Sequence, residues 1–259
     1  MKSSVTSPSP RFFELDYMKG IAVILMVIFH FFYIGTFYSR NYQTGRGSFL
    51  YLFAKISHTL FLFIIGMNLM ISYQKWIDVR KQVTTYYQRQ LGRALKLSFG
   101  GLIMTAYTRL EFPDMYIKFG IFQFVSTMIV LSIFISYSRI AICVALVICY
   151  SMTLGKTQLA TALQCNENPL FCSILGVSNS ISSMDHFSIL NKAPVVLWGM
   201  LAGSLLYVRN DYKYPAFQQS IADWTQSNPI NRGITTIGQY SLSIYFIHFA
   251  LIFLYYKIF

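Results

Sequence analysis

Long, nearly uninterrupted apolar runs restrict this chain more than any other feature it has. A helix needs about 20 mostly apolar residues to cross the ~30 Å hydrocarbon layer of a bilayer. Runs of that kind occupy residues 18–37, 49–72, 95–110, 117–136, 140–154, 193–208 and 237–259, which gives about seven spans. The composition agrees, with 55% of the 259 residues hydrophobic and 12% charged, about half the charged fraction of an average soluble domain. The 23 Phe and 19 Tyr suit lipid-facing helices and the aromatic belts at their ends. The expected fold class is therefore all-α, a polytopic transmembrane helix bundle forming a single domain over residues 11–259. The tail at 1–10, MKSSVTSPSP, is expected to be disordered. It does not read as a cleaved signal peptide, because Glu14 and Asp16 interrupt the approach to the first apolar run and no small-residue cleavage site follows it.

Lys and Arg set the orientation. Lys75, Arg80, Lys81, Arg89, Arg93 and Lys96 crowd the segment between the second and third runs, and basic juxtamembrane segments stay on the cytoplasmic side. Alternation then places the N-terminus in the cytoplasm, with Lys2, Arg11 and Lys19, and puts Arg139, Arg209, Lys213 and Arg232 on the same side. The 157–191 loop falls outside. The formal net charge of +12 is thus mainly a topology signal and an attraction to anionic lipid. Because the cations are spread along helix ends, they do not form a nucleic-acid surface. Cys143 and Cys149 lie in the fifth run and read as small apolar residues. Cys165 and Cys172 share the outer loop, where an oxidising compartment favours a disulfide. Neither pair has zinc-type spacing and His186 does not complete a ligand set, so no metal is expected.

Ionisable groups inside an apolar span are costly and mark sites or pathways. The first run, LDYMKGIAVILMVIFHFFYIG, carries His30 eleven residues after Lys19. At 3.6 residues per turn these share a face, with Asp16 about 40° away and His30 roughly 16 Å deeper than Lys19. Histidine accepts and returns a proton near neutral pH without large tuning, so His30 is the leading candidate for a catalytic base; a bundle-core histidine bonded to a neighbouring helix is the competing reading. Arg89, Arg93 and Lys96 are spaced i, i+4, i+7 on one helical face at the mouth of the third run. Such a stripe can grip phosphates, or simply report topology. His58, one turn after Lys55, is a further candidate. Gln123 and His248 are polar residues within apolar runs, for which an interhelical hydrogen bond is the simpler account. Gly199 and Gly203 suggest close helix packing.

Several of these blocks carry a resemblance. RFFELDYMKGIAVILMVIFHFF looks like the opening of the transmembrane acyltransferases. More specifically, the chain resembles the family sharing the catalytic domain of heparan-α-glucosaminide N-acetyltransferase, including its short bacterial members. HTLFLFIIGMNLMISYQ (58–74), GRALKLSFGGLIMT (92–105), FGIFQFVSTMIVLS (119–132) and GQYSLSIYFIHFALI (238–252) are similar to successive family blocks and occur in the family's order. KGIAVILMVIFH is also similar to the first helix of the related acyltransferase-3 family, with His30 in the place of its histidine.

The resemblance implies an acetyltransferase, O- or N-specific, that takes acetyl (acyl) groups from cytosolic acyl-CoA and delivers them to a sugar or glycan on the outer side of a membrane. For a short bacterial member that membrane is the inner one. It implies His30 as base, acceptor-positioning group or transient acyl carrier. Arg89, Arg93 and Lys96 would meet the CoA phosphates, with Lys19 in the place of the family's arginine before glycine. Asp16, His58, Gln123, Tyr245 and His248 become cavity candidates. The loop after the first run, GTFYSRNYQTGRG, has no histidine where the family's animal enzyme carries its catalytic one, and Asn41 is the nearest polar substitute. A non-enzymatic transporter, channel or lipid-binding protein is the alternative. Acceptor, acyl length and oligomeric state stay open.

Overall fold

The computed structural model describes residues 12–178, 183–208 and 211–259. The tail at 1–10, and with it Lys2, as well as Arg11 and Arg209, lie outside the described residues. The described chain is almost wholly helical: α1 Phe13–Phe37, α2 Phe49–Tyr73, a π-helical stretch Gln74–Val79, α3 Val83–Glu111, α4 Ile121–Ile135, α5 Arg139–Leu154, α6 Lys156–Ala162, α7 Pro169–Leu175, α8 Ile189–Leu206, α9 Pro215–Gln226, α10 Pro229–Gln239 and α11 Ser241–Ile258. Two strands of two residues, Tyr207–Val208 and Asp211–Tyr212, are the only extended elements among the described residues.

All seven apolar runs are largely helical, but seven spans are not reached by length and composition among the described residues. By length and apolarity, four helical stretches can cross a bilayer among the described residues: Phe13–Phe37, Phe49–Ile77, Ile189–Leu206 and Ser241–Ile258. A fifth is reached if Arg139–Leu154 and Lys156–Ala162, bent by 82° at their junction, form one broken span. The remaining two fail for identifiable reasons. α4 has 15 residues, about 22 Å at 1.5 Å per residue, which is short of the hydrocarbon thickness. α3 is 29 residues long, but its first half carries the basic stripe and dilutes its apolarity.

Two compact units result: residues 1–64 with 211–259, and residues 65–210. In the first unit, α1 begins five residues before the apolar run, and Glu14 and Asp16 lie in its first turn, where carboxylates favour the positive end of the helix dipole. α10 packs on this end of α1 at backbone distance. A Cβ at Gly20 would overlap the Ile234 carbonyl, and one at Gly238 the Asp16 carbonyl. Small residues at both positions are what allow the helices to approach. Ser57 Oγ of α2 donates to the Ala22 carbonyl of α1 at 2.7 Å, and Tyr256 Oη of α11 donates to the Phe31 carbonyl at 3.0 Å. α1 is thus bonded to α2 and α11 and in backbone contact with α10.

In the second unit, Gly66 of α2 faces the Val196 carbonyl of α8, and Gly203 of α8 lies against the Met67 backbone, 3.0 Å from where its Cβ would be. Gly101 of α3 opens room for the Gln123 amide of α4, 2.7 Å from the missing Cβ. Gly176 ends α7 with φ +90°, a left-handed cap that glycine adopts without strain.

Candidate functional site

Two groups of side chains stand out, one in each unit, and each is built differently. In the first unit, α1 and α11 bring together two residues 218 positions apart: His30 Nδ1 and His248 Nε2 lie 2.9 Å from each other. Each ring is 5% exposed. His248 Nδ1 lies 3.0 Å from the Ile244 carbonyl one turn earlier on α11. The imidazoles are stacked, with centroids 5.2 Å apart and an 18° interplanar angle. Aromatic rings enclose them. Phe249 is 4.7 Å from His30, Tyr245 stands edge-on to both histidines, and Phe29 tilts against His30. His58 on α2 is close enough to act electrostatically on His30. Two of the four histidines in the sequence are thus buried against each other, a costly arrangement inside an apolar bundle that marks a candidate site.

In the second unit, the end of α2, the π-helical stretch and the start of α3 assemble a cationic patch. The Trp76 ring is the plate on which it is organised: the Arg80 and Arg89 guanidinium carbons lie 4.5 and 4.2 Å from its centroid. Lys75 lies within electrostatic reach of Arg80, Arg89 and Arg93. Arg93 reaches the Ser72 hydroxyl at 3.5 Å, beside Gln90, whose Nε2 donates to the same oxygen at 3.0 Å. Each exposed guanidinium presents a planar fork of the kind suited to phosphate oxygens. Lys96 is exposed further along α3.

Trp76, Arg80 and Gln90 were not candidates from sequence. A tryptophan at the end of an apolar run reads as a membrane-interface belt residue, and only the fold turns two guanidiniums onto it. Gln90 is 1% exposed and lies beside the buried hydroxyl of Tyr86, the residue one turn before it.

The other sequence candidates divide. Asp16 is buried and pairs with Lys19, Oδ1 to Nζ 3.0 Å. Lys19 belongs to the first unit and is engaged there. Tyr245 is buried beside the histidines. Asn41 is exposed on the loop after α1. Gln123 has structural work: its Oε1 accepts the Gly120 N–H at 3.1 Å at the start of α4, and its Nε2 donates to Thr105 Oγ1 of α3 at 3.0 Å. Cys165 and Cys172 are joined, Sγ to Sγ 2.03 Å, while Cys143 and Cys149 are free thiols. No group of three or more His, Cys, Asp or Glu side chains able to hold a metal occurs among the described residues.

The segment before α8 holds one further ionisable group that sequence reading passed over. Asp185 accepts backbone N–H bonds from Ile121, at the start of α4, and from His186; burial pushes its carboxyl up to about 7, against the opposing pull of Lys192 and those two N–H donors.

Several helices long and apolar enough to cross a bilayer define an integral membrane protein. The family model described as heparan-alpha-glucosaminide N-acetyltransferase, catalytic, matches residues 11–250, and the chain belongs to that family, whose members are membrane acetyltransferases. No curated protein and no solved structure gives a significant match.

Proposed function

We propose that the chain transfers an acetyl group from cytosolic acyl-CoA to a sugar or glycan acceptor on the opposite side of a bacterial inner membrane, with His30 as the base. The observation that carries this reading is the buried His30–His248 pair with His58 in electrostatic reach. Acyl transfer from a thioester to a hydroxyl or amine needs a group that removes the acceptor's proton as the new bond forms, and imidazole does this near neutral pH. The arginines gathered around Trp76 support a docking role for the phosphates of CoA, with Arg89 and Arg93 as the contacts and Lys96 as an outlying cation. CoA is the co-substrate in this reading and no metal takes part.

The test uses purified protein, radiolabelled acetyl-CoA and glucosamine or a membrane glycan fraction. Wild type transfers label and His30→Ala does not; equally low transfer by both ends the proposal. A second reading, a transporter, channel or lipid-binding protein, draws on the loop after α1, which lacks a histidine, and on an apolar groove of about 370 Å³ along Leu52, Lys55, Ile56, Thr59, Leu60 and Phe63 of α2. Thermal stabilisation by CoA that disappears in Arg89→Ala/Arg93→Ala favours the transferase, and absence of any shift favours the alternative.

A further inference from the structure

The hydrogen bonds around the two stacked histidines admit very few proton arrangements. The Ile244 carbonyl can only accept, so His248 Nδ1, 3.0 Å away, must carry a hydrogen. Histidine is mostly neutral at pH 7 from its reference value, and a neutral ring protonated on Nδ1 has a bare lone pair on Nε2. That lone pair faces His30 Nδ1 at 2.9 Å, so His30 Nδ1 must donate. The one ring nitrogen left without a proton on His30 is then Nε2, and it makes no hydrogen bond among the described residues. Any other assignment of two neutral rings sets two N–H groups or two lone pairs face to face, or points a lone pair at a carbonyl oxygen.

We infer that His248 is a positioning residue that holds His30 in the Nδ1–H form, so that His30 Nε2 is the basic atom, and that the pair works as a two-imidazole relay. The inference rests on the transferase reading for its chemical use. In the step it supports, the acceptor's O–H or N–H proton moves to His30 Nε2 as the acceptor's oxygen or nitrogen bonds to the thioester carbon. The His30 Nδ1 proton shifts to His248 Nε2, which makes His248 the imidazolium, still held by the Ile244 carbonyl. When the tetrahedral intermediate collapses, the C–S bond breaks and the sequence reverses, returning the proton to the departing CoA sulfur. Every atom and charge is accounted for, and the carbonyl at Ile244 does for His248 what His248 does for His30. A carbonyl oriented toward a ring N–H is the usual means of fixing a histidine tautomer.

The experiment labels histidine ring nitrogens with 15N in the full chain, purified in detergent, and reads their protonation by NMR; four histidines can be assigned by single substitution. His30 and His248 are both expected as Nδ1-protonated rings with a bare Nε2. The His30 pattern is expected to persist in His248→Gln, whose amide oxygen can accept the same bond, and to vanish in His248→Leu. A His30 protonated on Nε2 in wild type overturns the inference whatever the activity. The kinetic arm uses acetyl-CoA and glucosamine. His248→Leu should lose roughly a hundredfold in kcat with the KM for acetyl-CoA little changed, and His248→Gln should recover most of the loss. Full turnover in His248→Leu while His30→Ala is dead overturns the relay and leaves His30 as base. Absence of turnover in wild type is a failure of the transferase reading, and the ring-nitrogen pattern then decides the proton assignment by itself.

Discussion

The histidine pair and the arginine cluster concentrate polar groups at comparable cost but in opposite ways. The imidazoles are buried, stacked and bonded to each other and to one carbonyl, so each ring has a single workable arrangement. The guanidiniums are exposed, and those of Arg80 and Arg89 are laid over a tryptophan. Burial makes every bond in the first group specific, because an unsatisfied polar atom there has no water to fall back on. Exposure makes the second group redundant, since several cations share one field and each is screened by solvent. The difference teaches where chemistry and where affinity should reside. An atom whose protonation must be defined belongs in the first setting, and a handle for a flexible polyanion belongs in the second.

The largest effect expected from this contrast is on turnover. His30→Ala should lower kcat by about a thousandfold or more, within the range of losing a general base together with its oriented partner, while CoA still stabilises the protein against heat. If CoA-induced stabilisation were lost and the residual kcat stayed high, the division of labour would be reversed. Next comes the handle. Arg89→Ala/Arg93→Ala should raise the KM for acetyl-CoA by about tenfold or more, on the scale of losing charge-assisted hydrogen bonds, and leave kcat nearly unchanged. Because the site is exposed, the wild-type KM should rise with added salt and the double variant's should not, which steady-state kinetics at two ionic strengths will read. Trp76→Ala should fall between wild type and the double variant, since it removes the plate but leaves the charges.

A third comparison sharpens the structural half of the contrast. The helix that carries His30 is anchored where glycine lets α10 meet it at backbone distance. Gly238→Leu should therefore destabilise the protein by about 1–3 kcal/mol, the usual range for overpacking, whereas Gly233→Ala on the same helix, with open space around it, should be neutral or slightly stabilising in the same thermal scan. A loss of transfer activity in Gly238→Leu without a change in CoA-induced stabilisation would tie helix placement to the base and not to the handle.

What could be read from the sequence follows from the range over which each signal acts. Hydropathy is local, so the helical class and the apolar part of every long helix were visible. The ends were not. α1 begins at Phe13 with an acidic first turn, and α3 at Val83 with the polar stretch VTTYYQRQ; a search for apolar runs discards both, although carboxylates favour a helix start and arginine is a good helix former. α9 and α10 were hidden for the same reason, since their apolar residues recur with helical period and never run together. His30 was legible because an ionisable group inside an apolar run is costly wherever it occurs. Its partner was not identifiable as such. His248 stood out by the same rule, but no spacing argument connects positions 218 residues apart. The arginine stripe was visible as charge, while its organisation around Trp76 depends on the packing of α3 against the π-helical stretch that ends α2. Asp185 left no local signal, because an Asp in a loop is ordinarily solvated and only the packing of α4 against its segment shuts water out.

That residue supplies the smallest expected effect and a third setting to set beside the other two: an ionisable group partly shielded from water with neither a ring partner nor a cluster of charge. Its carboxyl keeps its proton to about pH 7 in the folded chain, because burial opposes ionisation more strongly than Lys192 and the N–H groups of Ile121 and His186 favour it. In the unfolded chain an aspartate releases its proton near pH 4. Between those values the folded state binds more protons than the unfolded state, so stability must fall as pH rises across the window and level off above it, the reverse of the behaviour of a carboxylate held in an ion pair. Thermal unfolding in detergent at a series of pH values from 5 to 8 will read this slope. Asp185→Asn, which keeps the shape and cannot ionise, should flatten it and raise the melting temperature most at the alkaline end. A variant that melts lower than wild type at pH 8 would mean that the ionised carboxylate is the form the fold prefers, with its two N–H donors and Lys192 outweighing burial.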